Sequence, residues 1–310
     1  MHSCYIIGPA IPVKDSRDLQ GKGATEKMTE QARQTKSGGI SRRTFLLGGA
    51  AAFGGAVLTD AFLLEPRLFQ VEEVNLPMEK VAPGRELRIA HLSDMHIRSF
   101  NDYLRKVAAA VNALAPDLIL LTGDYLERSR NIRGVQSFLE LLRAPNGVFA
   151  VQGNWEYWAR VEGENLRRHF AGAGVSLLIN ERRDLDLQGI PTSLLGLDYP
   201  SSADSLVRLQ QQSDPARLNL LLSHVPAFDH SLLTPGTDLI LSGHTHGGQV
   251  RLPFLPPPIL PRFSGTFYSG LFRVGTARVP LYVTRGIGTS ILPVRFCCRP
   301  EITLFRLHAA

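Results

Sequence analysis

DLILLTGD, residues 117 to 124, is a short apolar run that stops at Gly-Asp. A run this short and this apolar reads as a strand buried on both faces rather than as a helix. The same shape recurs on either side of it. ELRIAHLSD (86 to 94) precedes it and GVFAVQGN (147 to 154) follows it. Tyr103 to Leu114, Val135 to Leu142 and Asn165 to Ala171 carry apolar residues at helical spacing. Strand, helix, strand, helix, strand at these intervals predicts βαβ units and an α/β fold.

The second half reads differently. Ser176 to Ile179, Leu185 to Leu187 and Ser193 to Leu197 are short runs expected to be antiparallel strands, followed by a polar helix over Asp204 to Gln212. LNLLLSH (218 to 224) and DLILSGH (238 to 244) return to the first pattern. QVRLP, PLYVTRG and EITLFRL supply late strands, and Phe69 to Asn75 a lead-in strand. FLPPPILPRFSG (254 to 265) cannot be a central strand, because proline has no N–H to give a ladder.

The polar residues that end these runs form a set. They are Asp94 with His96, Asp124, Asn154, His224, and His244 with His246. Ligands in α/β sheets gather outside the carboxyl ends of the strands. Five such ends converging would bring two Asp, one Asn and four His together. Carboxylate and imidazole without thiolate suit Zn, Fe or Mn in a two-metal site. Gly123, Gly153 and Gly243 let the chain turn sharply enough for short side chains to reach the ions.

Composition describes an ordinary globular protein. The chain has 310 residues, 44% of them hydrophobic, and a net charge of +6. About half of that charge lies in the first sixty residues, which leaves the rest nearly balanced and argues against a nucleic-acid partner. Residues 1 to 40 read as a disordered leader. SRRTFLLGGAAAFGG, from Ser41, then sets paired arginines before a Gly/Ala-rich apolar run, the pattern of a twin-arginine export signal.

Residues 41 to 61 are thus a signal or an N-terminal anchor, and the twin-arginine export machinery is an expected partner. The apolar stretch from Phe45 to Leu58 is short for a membrane span. Thr59-Asp60-Ala61 offers a small-x-small cleavage site, and if it is not cut, Phe62-Leu63-Leu64 extends the run. Met28 offers an alternative start. Cys4 falls in the leader, and vicinal Cys297 and Cys298 are read as idle thiols. Residues 62 to 85 then lead into a domain over 86 to 308. The expected location is the periplasm or outer face of the cytoplasmic membrane.

Asp-x-His, Gly-Asp, Gly-Asn, His and Gly-His-x-His in this order resemble the calcineurin-like metallophosphoesterases. The likeness runs over residues 86 to 307, and is strongest to exported bacterial members with tails like SGHTHGGQVRLP and YVTRGIGTS. The resemblance implies a four-layer α/β/β/α sandwich of two mixed sheets flanked by helices, and two divalent metal ions. Asp94, His96 and His246 would hold the first, Asn154, His224 and His244 the second, and Asp124 would bridge. A hydroxide bridging the metals would attack a phosphodiester or pyrophosphate in line.

One position departs from the family. GNWEYW has Trp155 where the pattern puts a histidine that protonates the leaving oxygen. An indole N–H donates a hydrogen bond but transfers no proton near neutral pH. The residues expected around the reacting phosphorus are therefore Asp124, Asn154, His224 and Trp155. A good leaving group, such as pyrophosphate, needs acid help least. Members that cleave UDP-2,3-diacylglucosamine also lack His here, although an exported enzyme would not meet a cytoplasmic nucleotide sugar. The alternatives are a phosphomonoesterase, or an impaired metal-binding envelope protein.

Around this centre, Glu156 is expected to support a ligand and Trp158 to pack in the core. Arg98, Arg285 and Arg295 are candidate phosphate clamps, and Asp198 a candidate border of the pocket. Phe254, Leu255, Ile259, Leu260 and Phe263 make the proline-rich loop unusually apolar, fit either for ordinary packing or for a membrane surface or lipid tail.

Overall fold

The strand runs fold as their patterning demands. The computed structural model describes residues 41 to 310. The leader reading, Cys4 and the Met28 start lie outside the described residues. In chain order the elements are α1 (Arg42–Thr59), β1 (Gln70–Met78), β2 (Glu86–Leu92), α2 (Asp102–Ala113), β3 (Leu118–Thr122), α3 (Ile132–Leu139), β4 (Val148–Val151), α4 (Asn154–Trp158), α5 (Gly163–Gly172) and β5 (Val175–Leu177). Then come β6 (Glu181–Leu187), β7 (Ile190–Leu197), α6 (Ala203–Gln211), β8 (Leu218–Ser223), β9 (Leu239–Ser242), β10 (Gly270–Val274), β11 (Val279–Val283) and β12 (Glu301–Ala309).

The strands form two six-stranded mixed sheets, ordered β1-β12-β2-β3-β4-β5 and β10-β11-β9-β8-β7-β6. In the first sheet β2 to β5 run parallel, with β12 antiparallel to β2. In the second β7, β8, β9 and β11 run parallel, while β6 and β10 are antiparallel edges.

Period-two alternation decides which layer each residue fills. In β3, Leu118 and Leu120 face the second sheet, where Leu220, Leu222 and Leu239 meet them. Ile119 and Leu121 face outward and pack with Val107, Val111 and Phe138 of α2 and α3. On the far side Leu221 and Ile240 pack with Leu206 and Leu209 of α6. Each buried leucine contributes roughly 1.5–3 kcal/mol, so the strands are held from both faces. The result is helix, sheet, sheet, helix.

Several elements differ from expectation. Val175–Leu177 pairs parallel with β4, not antiparallel, and so continues the first sheet. QVRLP is not a strand: Val250 makes one bridge to Phe296, and Pro253 has no N–H to extend it. β10 and the five-residue α4 had no sequence signal. The lead-in strand is longer than expected and pairs along nine residues with β12, forming the outer edge of the first sheet.

Despite its four glycines, residues 42 to 59 are helical, with no buried side chain. The helix continues through a π turn at Asp60–Leu64 and a 3-10 turn at Glu65–Arg67.

Candidate metal centre

The seven expected ligands stand on corners immediately after parallel strands. Asp94 and His96 follow β2, Asp124 follows β3, and Asn154 opens α4 after β4. His224 follows β8, and His244 and His246 follow β9. Asp94, His96, Asp124, His244 and His246 have φ of 53°, 44°, 58°, 71° and 52°. These are left-handed conformations that cost non-glycine residues on the order of 1–3 kcal/mol each and gather at functional sites. Gly123 makes one corner possible, since a Cβ there would lie 2.6 Å from Nδ1 of His224 and 2.7 Å from the Gly153 nitrogen.

The corners bring the side chains together in two sets. Ligand atoms of Asp94, His96 and His246 lie within 4.8 Å of one another, as do those of Asp124, His224 and His244. Oδ1 of Asn154 completes the second set, 3.0 Å from both Nε2 of His224 and Nδ1 of His244. Oδ2 of Asp124 faces both sets, 3.3 Å from His224 Nε2 and 3.6 Å from His96 Nε2. All seven residues are buried.

The donor set fits cations. His224 Nδ1–H donates to the Thr122 carbonyl and His244 Nε2–H to the Arg262 carbonyl, each at 2.6 Å. Each imidazole thereby turns its other nitrogen inward, where it can offer a lone pair to a cation, the orientation metal-binding histidines adopt. The Nε2 atoms of His96 and His246 face each other at 3.0 Å, while both Nδ1 atoms lack a partner. Converging lone pairs and two carboxylates away from water repel one another unless a cation lies among them.

The protonation equilibria record that crowding. Burial, opposed by His224 and helped by Asp124, pushes the Asp94 carboxyl up to about 7. Burial also raises the Asp124 carboxyl, but the charge and hydrogen bonding of His224 outweigh it and hold the group below its usual range. The counterpart is His224: burial lowers it, yet Asp124 pushes it up to about 9. Burial carries His96 and His244 down to about 4 and holds His246 well below the usual imidazole range.

Glu156 ties two of these corners together. Its carboxylate accepts the main-chain N–H groups of Gly153, Asp124 and Tyr125 at 2.8, 3.0 and 2.7 Å. Burial and the Asp124 charge raise it to about 7. The Trp155 N–H donates to Asp124 Oδ1 at 2.9 Å, and its half-buried ring stands edge-on to His96, centroids 5.2 Å apart. Trp158 is not core filler. It is 64% exposed and packs edge-on against Trp155.

A cavity of about 430 Å³ opens over the centre, with Trp155, Trp158, Ile259, Phe263 and Ile291 among its walls. The arginines expected to clamp phosphate are occupied elsewhere. Arg98 forms a bidentate pair with Glu127, and Arg285 pairs with Glu72 and Glu301. Arg295 is fully buried and donates to the carbonyls of Arg285, Gly286, Gly288 and Cys298. Asp198 lies behind the wall, holding Gln152 and the Tyr157 hydroxyl.

Arg262, from the proline-rich loop, Tyr199 and Ile291 are wall residues that had no sequence signal. Of that loop's apolar side chains, Phe254, Leu255, Ile259 and Phe263 are exposed, Phe254 completely, and Leu260 is half-buried. Cys297 and Cys298 are free thiols.

Comparison with known proteins bears on the family. The family model described as calcineurin-like phosphoesterase matches residues 87–248. The metallophosphoesterase YkuE of Bacillus subtilis is 32% identical over 290 residues, covering 87% of this chain and 98% of its own. The phosphodiesterase YaeI of Escherichia coli is 31% identical, covering 86% and 99%. The UDP-2,3-diacylglucosamine pyrophosphatase LpxG of Chlamydia trachomatis is 29% identical, covering 78% and 90%. The matched segment runs from β2 through the last of the clustered histidines, and with it the chain belongs to the calcineurin-like phosphoesterases, hydrolases of phosphoric esters.

Proposed function

We propose that this chain is an exported, membrane-anchored hydrolase of phosphodiester or pyrophosphate bonds in a phosphorylated small molecule or lipid of the cell envelope. The observation that carries this reading is the cavity, several times the volume of a phosphate group, with the clustered ligands on one side and an apolar wall on the other. A phosphorus atom held by the ligands has space for a substituent beyond it. A monoester would leave that wall unused.

Asp94, His96 and His246 would hold one divalent cation (Mn, Fe or Zn), and Asn154, His224 and His244 a second, with Asp124 facing both. When bound, the ions neutralise phosphate charge and make water a nucleophile at neutral pH. The chain's own residues set the rest. Asp124 is fixed by the Trp155 N–H, and Glu156 fixes the corners that carry Asp124 and Asn154. Trp155 gives the leaving oxygen no proton. Tyr199, also on the wall, is shifted upward by burial and by Asp124, away from acid duty. A leaving group stable as an anion, as in a pyrophosphate, suits this cavity.

The pyrophosphatase named among the relatives supports the anhydride class. Arg42 and Arg43 ahead of the apolar helix, with no further arginine until Arg67, support export by the positive-inside rule. The purified chain, loaded with Mn, Fe or Zn, should hydrolyse bis-p-nitrophenyl phosphate faster than p-nitrophenyl phosphate. Faster release of phosphate from the monoester would favour a phosphomonoesterase. Two bound metals without turnover of either ester would favour the impaired reading, for which the ring of Trp155 against His96 is the supporting observation.

A further inference from the structure

The end of the N-terminal helix is tied to the loop that borders the cavity. The helical run extends from Arg42 to Arg67. Ala61 is buried, and its carbonyl accepts the Arg295 N–H at 2.9 Å. Glu65 is buried too, and its carboxylate accepts the N–H of Cys297 at 2.9 Å and that of Cys298. Four residues before Arg295 stands Ile291, on the cavity wall. Four residues of chain reach at most about 14 Å.

From Thr44 to Leu64 the helix carries one charged side chain, Asp60, in 21 residues. At 1.5 Å per residue that is about 31 Å, the thickness of a bilayer's hydrocarbon core. A helix that crosses up to Leu64 leaves Ala61 and Glu65 at the interface. The cavity mouth then lies within that same short reach of the headgroups.

The rim of the mouth has the chemistry of such a surface. Phe254 is 104% exposed, and Leu252, Leu255 and Leu292 are exposed around it and the cavity's own Ile259 and Ile291. Between Asp238 and Glu301 there is no acidic residue and there are seven arginines. Of these, Arg262, Arg273, Arg278 and Arg299 are exposed, Arg262 on the cavity wall. Apolar side chains beside guanidinium groups, with no carboxylate to repel phosphate, match an anionic lipid interface.

We infer that the rim formed by residues 252–263 and 289–294 lies in the headgroup layer of the membrane that α1 crosses, an anionic bilayer being its partner. The site then takes its phosphate ester from an amphiphile in that leaflet. This rests on the reading of α1 as a retained anchor and of the site as a diester or pyrophosphate hydrolase. Hydrolysis adds hydroxide to phosphorus and a proton to the departing oxygen, so the lipid part stays in the leaflet and the polar part leaves.

The chain's only two tryptophans, Trp155 and Trp158, both stand at this mouth and report on it directly. The full chain is reconstituted in phosphatidylglycerol–phosphatidylcholine vesicles with and without brominated acyl chains. Bromine should quench the tryptophans. The triple variant Phe254→Ser, Leu255→Ser, Leu292→Ser should stay vesicle-bound and hydrolyse bis-p-nitrophenyl phosphate at the unchanged rate. It should lose the quenching, and turnover of a vesicle phospholipid should fall about tenfold or more.

Unquenched tryptophans in the vesicle-bound parent chain overturn the inference, as does quenching that survives the triple substitution. A chain that does not sediment with vesicles overturns it through the anchor. Absence of any diester turnover instead sinks the hydrolase reading, while the quenching, which needs no catalysis, still decides whether the rim meets lipid.

Discussion

The main-chain N–H of Trp155 holds Oδ1 of Asp124 at 2.9 Å, whereas its indole stands against His96. The backbone of residue 155 therefore orients the carboxylate between the two ligand sets, and the side chain is free to vary. Trp155→His should leave metal content unchanged. It should raise turnover of esters with poor leaving groups by about 10²-fold, the lower end of general-acid help, and change p-nitrophenyl esters little. Equal rates for both classes before and after the change would show that the indole serves as a substrate wall.

Asp124→Asn removes the one carboxylate that faces both sets. Bound metal should fall, measured by elemental analysis after desalting, and turnover should drop on the order of 10³-fold or more. Retained turnover would rule out the shared position.

Metal uptake should weaken in acid. His224, pushed up to about 9, and Asp94, pushed up to about 7, each hold a proton below those values that a cation must displace. Affinity should fall about tenfold per pH unit between 9 and 7, and about a hundredfold per unit below 7, where both protons are lost on binding. Calorimetric titration of the metal-free chain at several pH values reads the slope directly. A flat profile would mean that both groups already stand deprotonated.

Glu156→Gln keeps the volume but loses the charge that accepts three main-chain N–H groups. Metal affinity should fall roughly 10- to 100-fold, as for other groups that orient ligands. A thermal-melt comparison with and without metal separates this from simple unfolding.

Arg262 and Arg295 should part ways. Arg262→Ala removes the guanidinium from the cavity wall and should raise KM about tenfold with little change in kcat, since a hydrogen bond to a charged group contributes about 1.5–3 kcal/mol. Arg295→Ala strands four carbonyls, two of them in fully buried contacts, and should cost about 3 kcal/mol or more of stability. Urea denaturation and steady-state kinetics on both variants check the contrast.

The strands and the corners after them were legible because both signals are local. An apolar run such as Leu118 to Leu121 can be satisfied only between two layers, and the polar residue that ends it must lie at the sheet's edge. What escaped depends on distant contacts. Arg262 reaches the cavity because its carbonyl meets His244, eighteen residues away in the chain, and no periodicity encodes that. α4 is too short for a helical pattern, and β10 alternates half-exposed positions at an edge. Trp158 read as core because its size outweighs its sequence context; the corner after β4 turns it outward beside Trp155.

The left-handed corners have an evolutionary consequence. Inside the sheets a leucine can drift to isoleucine or methionine while the volume is kept. At Asp94, His96, Asp124, His244 and His246 the side chain and the handedness of the backbone are specified together. The heritable unit of this centre is thus the corner, not the strand. A transplant of these seven ligands onto another parallel sheet would have to carry the turns with them, and a lineage could change most of its hydrophobic interior before altering one.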